Sequence, residues 1–313
     1  MTLLEGLEKK LRQELPELEL RKNEPMNQHT SFKVGGPATL MALPKGESSN
    51  GFKSDAHRIM EIAMECNVIP FILGNGSNLL VSDAGYDGFV VKLAGNYCHG
   101  SVYGNLLMVN AGMPLSQAAN MAQQHGLSGL EWAAGIPGTV GGAVYMNAGA
   151  YGGEISQVLL QVLAVGEQGG LYKASECDFA YRHSIFSQKR ALIGEADFEL
   201  TPDDPAAIKA RMDDLAAQRK AKQPLEYPSA GSTFKRPPAV DGKPVYAAAL
   251  IDQCGCKGLT VGGAQVSEKH AGFIINKGGA TCADILALVE EVKKRVYDQT
   301  GIALELEVKT LGE

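Results

Sequence analysis

The chain has 313 residues, enough to bury a large core and to split into two or three domains. Its 45% hydrophobic and 20% charged residues are those of an ordinary globular protein, and a net charge of −6 argues against a general nucleic-acid or membrane-surface role. The unusual count is 37 glycines. The six cysteines (66, 98, 177, 254, 256 and 282) are scattered, and no second Cys/His pair with zinc spacing accompanies Cys254-Gly-Cys256. They read as reduced structural thiols, and no metal site is expected. No apolar run is long enough to span a bilayer, and the N-terminus shows no apolar signal segment. The expectation is a soluble cytoplasmic chain with no nucleic-acid or membrane partner.

In chain order, Leu3, Leu4, Leu7 and Leu11 recur at helical spacing with Glu and Lys between, and Pro16 closes that amphipathic opening helix. A polar lead over Asn27 to Pro37 enters a strand at 38–43. A helix is predicted over 54–66, with Ile59, Ile62, Ala63 and Cys66 on one face, and then a buried strand over 68–73. Strand-like runs follow at 88–93 and 106–110, a helix from Pro114 to about His125, and strands at 159–165, 170–173 and 191–200. Pro202-Asp-Asp-Pro205 is a turn and a plausible boundary. A helix over 206–222 turns Ile208, Met212 and Leu215 inward, and Pro224 stops it. Beyond it lie a loop (225–238), a helix at about 244–254, short strands around 259–266 and 271–276, and a long helix from Thr281 to about Gln299. Thr281 and Asp284 make an imperfect capping box. Leu304 to Lys309 alternates strictly, which predicts a last strand burying Leu304, Leu306 and Val308 and showing Glu305, Glu307 and Lys309.

Two glycine-rich loops stand out. Between Leu130 and Glu154, glycines at 135, 138, 141, 142, 149, 152 and 153 interrupt small apolar residues around Trp132, the chain's only tryptophan. Such density is tolerated where backbone must take φ > 0 or approach something closely, and unobstructed N–H groups suit phosphate oxygens. It follows neither the Rossmann nor the Walker spacing. The other loop, Gly74-Asn-Gly-Ser-Asn-Leu-Leu80, comes directly after the 68–73 strand, where cofactors sit in α/β layouts. Together they suggest a ligand with a pyrophosphate and a long body. A glycine-rich turn region without a ligand is the plain alternative.

These loops, with Gly135-Ile-Pro-Gly-Thr-Val-Gly-Gly142, Tyr181-Arg-His-Ser-Ile-Phe186, Tyr227-Pro-Ser-Ala-Gly-Ser-Thr-Phe-Lys-Arg-Pro237 and Leu250-Ile-Asp-Gln-Cys-Gly-Cys-Lys-Gly258, resemble the UDP-N-acetylenolpyruvoylglucosamine reductases (UDP-N-acetylmuramate dehydrogenases). The likeness runs in order from about Asn27 to Thr310. It implies an α+β fold: a two-lobed FAD-binding domain of the PCMH-type flavin fold plus a smaller α+β substrate-binding domain. The corresponding divisions are lobes at 1–85 and 86–204, a substrate domain at 205–300, and a strand at 301–313 that returns to the active site. The implied reaction is NADPH-dependent, FAD-mediated reduction of UDP-N-acetylglucosamine enolpyruvate to UDP-N-acetylmuramate, a step of peptidoglycan precursor synthesis.

Reducing that vinyl ether places negative charge on the carbon next to a carboxylate, so it needs a cation and a proton donor. The resemblance makes Ser232 the donor, Arg182 the cation and Glu307 the carboxylate that closes the site. From spacing alone these read as a turn serine, a surface arginine and a solvated strand residue. Lys222, Lys235 or Arg236 could ease proton loss from Ser232. Gly74, Asn75, Gly76, Ser77 and Asn78, with Gly135, Thr139 and Gly141, are expected to hold the FAD pyrophosphate through backbone N–H groups. Lys222, Arg236 and Tyr151 are the expected nucleotide-sugar contacts. Family members usually carry Glu-Pro-Glu-Val-Arg where this chain has Glu305-Leu-Glu-Val-Lys309. Between Phe186 and Lys222 there is little room for the loop that, in one branch of the family, folds a tyrosine over the substrate, so the chain resembles the shorter branch. Two readings stay beside this one: a PCMH-type FAD oxidase acting on another small substrate, with His29, His99 or His125 to hold flavin covalently, and a non-catalytic nucleotide-binding module.

Overall fold

Thr2 accepts the Glu5 N–H on its hydroxyl, and the Glu5 carboxylate accepts the Thr2 N–H in return. This capping box starts helix α1 (Leu3–Glu14), which buries Leu7 and Leu11 while Leu3 stays outside the stripe at 66% exposure. The computed structural model describes residues 2–45, 55–95, 97–239 and 242–312. Next come β1 (Glu19–Pro25), β2 (Pro37–Leu43), α2 (Asp55–Glu65), β3 (Phe71–Leu73), β4 (Leu79–Val81) and β5 (Tyr86–Lys92). Ser54, the expected first residue of the 54–66 helix, lies outside the described residues. The first sheet runs β1-β2-β5-β3, with β3 parallel to β5. β3 is shorter than the 68–73 run because Ile69 is exposed and Pro70 has no N–H to give a ladder. β1 was unreadable in advance: Glu-Leu-Arg-Lys-Asn-Glu-Pro shows no alternation and forms a sheet edge, where polar residues are normal.

The second sheet is antiparallel. The chain continues through β6 (Gly100–Tyr103), β7 (Leu106–Asn110), α3 (Leu115–Gln124), β8 (Leu127–Ser128), α4 (Val140–Tyr145), β9 (Gly149–Ala150), β10 (Gly153–Glu154), β11 (Leu159–Gly166), β12 (Gly170–Lys173), β13 (Ala191–Glu199), β14 (Thr201–Pro202) and α5 (Pro205–Lys222). Five of the strands join in the order β12-β11-β13-β7-β6. Leu107, Val109, Ala196 and Phe198 bury one face, while Gln161, Glu195 and Asp197 hold the other half-open. The remaining elements are α6 (Ala247–Gln253), β15 (Thr260–Val261), β16 (Ala264–Val266), β17 (Ile274–Asn276), α7 (Cys282–Thr300) and β18 (Lys309–Leu311). β15, β16 and β17 form an antiparallel sheet, and β18 pairs in parallel with β4.

The chain divides into two compact units. Unit 1 comprises residues 1–23, 40–75 and 88–218; unit 2 comprises 24–39, 76–87 and 219–313. The expected 1–85 lobe is thus shared between them, while 301–313 falls in unit 2 with most of the 205–300 segment. In unit 1, Leu40 and Ile59 belong to the same core as Leu107 and Phe198, so the expected lobes do not have separate cores. In unit 2, Leu80 and Phe32 join Ile251, Ile274, Leu288, Val292 and Leu304. Cys177, Cys254, Cys256 and Cys282 are buried free thiols, and burial pushes the Cys177 thiol up to about 11.

Candidate active site

In unit 1 the two glycine loops meet. A Cβ on Gly74 would lie 2.4 Å from Thr139 Oγ1, so only glycine fits. Asn75 Nδ2 donates to the Pro137 carbonyl at 2.8 Å and ties the loops together. Thr139 is 2% exposed and begins α4, accepting the Gly142 N–H on its hydroxyl at 3.3 Å. Gly135 lies exposed in the turn after Trp132. Gly141 departs from its expected role. Its N–H already donates to the Ala111 carbonyl at 2.8 Å, and a Cβ there would stand 2.8 Å from Ala111 Cβ. Close packing, not phosphate donation, is what this glycine serves in the present conformation.

Part of the glycine density answers to Trp132. Its indole N–H donates to the Gly129 carbonyl at 2.9 Å, and its ring lies where a Gly153 Cβ would be, 2.2 Å from Cδ1. Gly153 belongs to the β9–β10 hairpin, whose turn residues Tyr151 and Gly152 have φ of 53° and 87°. Both values are positive, as a two-residue hairpin turn prefers. Tyr151 projects at 43% exposure.

Arg182 is also left-handed, at φ 56°, a strained state for a residue that carries a Cβ unless its surroundings impose it. They do. Ala180 and His183 bridge across the turn, Asn147 Nδ2 donates to the Ala180 carbonyl at 3.2 Å, and Ser184 Oγ donates to the Tyr145 carbonyl at 2.6 Å. The half-buried guanidinium donates to the Gly149 carbonyl at 3.3 Å and lies 5.0 Å from the Tyr181 ring centre. The structure therefore brings Arg182 to the hairpin that carries Tyr151.

Unit 2 holds the other candidates. Gly76, at φ 59°, passes so close to the His29 carbonyl that a Cβ would be 2.1 Å from its oxygen, and its own carbonyl accepts the Ser31 N–H at 3.1 Å. Ser77 occupies the turn that follows. Asn78 Nδ2 donates to the main-chain carbonyl of Glu307 at 3.2 Å, and the Asn78 carbonyl accepts the Lys309 N–H at 3.1 Å.

Ser232 is exposed between Gly231, at φ 76°, and Thr233, which is 1% exposed. Three contacts lay this segment antiparallel to 305–307. The Glu307 N–H donates to the Thr233 carbonyl at 2.8 Å, Phe234 bridges to Leu306, and the Lys235 N–H donates to the Glu305 carbonyl at 2.9 Å. Ser232 and Glu307 are thus on neighbouring segments. The expected strand over 304–309 is corrected. Leu304 and Val308 are buried and Glu305 exposed, as the alternation predicts, but Leu306 makes only an isolated bridge and the regular strand is Lys309–Leu311. A partner strand for 304–308 extends no further than that bridge, so alternation in burial did not become a ladder.

The cations near Ser232 in sequence have occupations of their own. Lys235 pairs with Glu305 at 2.9 Å, and the exposed Arg236 lies 5.4 Å over the Tyr246 ring. Lys222 is exposed at the last residue of α5. Sequence reasoning missed Thr233, whose buried contacts are all with residues remote in the chain. It also missed His270: burial holds this imidazole below its ordinary range, and Nδ1 accepts the Gly272 N–H at 3.2 Å. Of the histidines open to the oxidase alternative, His29 pairs through Nε2 with Glu24 at 2.7 Å and His125 Nδ1 contacts the Met121 carbonyl at 2.9 Å.

Residues 53–175 match the family model described as an FAD binding domain, and the chain has a two-domain α+β FAD-binding fold. Residues 223–311 match the model described as UDP-N-acetylenolpyruvoylglucosamine reductase, C-terminal domain. The UDP-N-acetylenolpyruvoylglucosamine reductase of Caldanaerobacter subterraneus subsp. tengcongensis is 45% identical over 99% of this chain and 100% of its own length. That of Clostridium novyi is 47% identical over 98% and 97%. The crystal structure of the Thermus caldophilus enzyme superposes with a TM-score of 0.77 at 34% identity, covering 94% of this chain and 99% of that one. The chain belongs to the UDP-N-acetylenolpyruvoylglucosamine reductase family.

Proposed function

We propose that this chain reduces UDP-N-acetylglucosamine enolpyruvate to UDP-N-acetylmuramate with NADPH and FAD, in the cytoplasm, as a step of peptidoglycan precursor synthesis. The observation that carries this reading is full-length similarity to enzymes named for reducing that substrate. The oxidase alternative is not favoured.

The residues present suit FAD. A Cβ at Gly74 would fall on Thr139 Oγ1, so that cradle is lined by main chain and a hydroxyl, the donor set that phosphate oxygens take. Gly74, Asn75, Gly76, Ser77 and Asn78, with Gly135 and Thr139, are the residues we assign to the cofactor. Held there, FAD would supply hydride transfer between NADPH and the enolpyruvyl double bond. Arg182 offers a planar fork to the substrate carboxylate and stabilises charge that develops beside it. Ser232 delivers the proton to the carbon alpha to that carboxylate and, being exposed, regains one from solvent. Glu307 serves as the carboxylate that hydrogen-bonds the enol form. Lys222 takes the UDP phosphates, and Tyr151 and Arg236 contact the nucleotide-sugar. Closure over the substrate rests on residues outside 187–221, an interval that contains no tyrosine.

The test uses the two half-reactions separately under anaerobic conditions. Ser232→Ala is expected to keep reduction of the bound flavin by NADPH while its re-oxidation by the UDP-sugar slows about 10²–10⁴-fold. Equal loss in both half-reactions would remove Ser232 from the proton-donor role.

A further inference from the structure

We propose that Thr233 is a positioning residue that holds Ser232 in register with Glu307. The assignment rests on the reductase reading above, since it takes Ser232 as the proton donor and Glu307 as the site's carboxylate.

Three observations carry it. First, every polar group of Thr233 is committed: its N–H donates to the Gly272 carbonyl at 2.8 Å, its Oγ1 accepts the Ile274 N–H at 3.0 Å, and its carbonyl accepts the Glu307 N–H at 2.8 Å. One residue thereby joins β17 and the segment before it to the 305–307 segment. Second, Thr233 is 1% exposed while Ser232 beside it is exposed, so the serine is presented from a fixed neighbour. Gly231 on its other side has φ 76°, a backbone state that favours glycine. Third, Glu307 lies in no regular strand and is held from two sides by main-chain contacts, the Thr233 carbonyl on its N–H and Asn78 Nδ2 on its carbonyl.

The hydroxyl is the part that substitution can isolate. Thr233→Val keeps the shape but has no acceptor for the buried Ile274 N–H, so the segment must shift to find that donor another partner. A displacement of the order of an ångström at a reacting group costs about 100-fold in rate without touching the groups that do the chemistry. Thr233→Ser restores the acceptor oxygen.

The experiment measures re-oxidation of NADPH-reduced holoenzyme by UDP-N-acetylglucosamine enolpyruvate, and calorimetric affinity for UDP-N-acetylmuramate. Thr233→Val is expected to slow re-oxidation about 10–100-fold while KM and product affinity stay within about twofold, and Thr233→Ser to recover most of the rate. In a Ser232→Ala background the valine should cost less than about threefold, because its effect acts through the serine. A general loss of structure would instead cost as much in that background as alone. If valine has no effect, if its cost is undiminished without Ser232, or if serine does not rescue, the assignment is wrong. Should valine yield no folded protein, Thr233→Cys, whose sulfur is a weak acceptor, enters the same cycle with the same required coupling. A wild-type enzyme that cannot be re-oxidised by the UDP-sugar sinks the reductase reading itself. A wild type that can, with no Thr233–Ser232 coupling, sinks only this proposal.

Discussion

Gly153 lies under the indole of Trp132, and the ring cannot retreat easily: it is 7% exposed and fixed by its N–H to the Gly129 carbonyl. Gly153→Ala is therefore an overpacking change and should cost about 1–3 kcal/mol. Thermal or denaturant unfolding of the purified protein reads it directly. Stability equal to wild type would mean that the hairpin shifts freely and that the indole does not explain the glycine. Composition alone could not separate this glycine from its neighbours. Gly74 answers to the Thr139 hydroxyl, Gly141 to Ala111, and Gly153 to an indole 21 positions away, yet in sequence all fall in two loops that read alike as ligand-seeking. What was legible was that the backbone comes close to something; what it approaches is a tertiary fact.

At the scale of elements, legibility followed the strength of local signals. α7 was readable because Thr281 and Asp284 announce its start: the Thr281 hydroxyl accepts the Asp284 N–H at 3.0 Å, and Asp284 accepts the Thr281 N–H at 3.0 Å. The aspartate thus completes the capping box despite its shorter arm. Hydrogen bonds from the Thr281 and Gly263 N–H groups hold its carboxyl below the ordinary range. Unreadable was a second cap. Asp83, 199 positions from Cys282, accepts the Cys282 N–H at 2.8 Å and the Ala283 N–H at 3.0 Å. A carboxylate on two orphan donors at a helix start should be worth about 0.5–1 kcal/mol. Asp83→Ala is accordingly expected to lower unit 2 stability by that much, less so in high salt. Protection of the α7 amides from hydrogen exchange would locate the loss, and unchanged protection in the first turn would contradict it. β4 and β18 were missed for a related reason, since three-residue strands carry no period, and their pairing joins the separate 76–87 and 219–313 stretches of unit 2.

For the whole molecule, contiguous reading placed four successive segments where the chain instead forms two interleaved units, because periodicity reports local burial and not which distant stretch supplies the partner. The same long-range packing sets a mixed response to pH. Burial works to raise Glu131, but hydrogen bonds from Arg211, its own main chain, Ser128 and Gly129 outweigh it and hold the carboxyl low. That contribution is complete above the ordinary carboxylate range and is lost as pH falls through the folded value. Burial lowers His270, so the unfolded chain takes its proton first and stability again falls on acidification. Asp197 and Glu195 act the other way. Burial raises both, Glu195 also feels Asp197, and Asp197 has one oxygen on Gln161 Nε2 at 2.7 Å and a buried Oδ1 without a hydrogen-bond partner among the described residues. Here the folded chain binds the proton more tightly than the unfolded one. The penalty is therefore full above the folded value and relieved as pH falls toward the ordinary carboxylate value. Asp197→Asn removes the charge while its amide oxygen can still accept from Gln161. The variant should be more stable than wild type at about pH 8, with an advantage that shrinks only as pH falls through the folded value toward the ordinary carboxylate value. Paired unfolding midpoints across that range test it, and an advantage that grew on acidification would show that the buried carboxylate is stabilised by its surroundings.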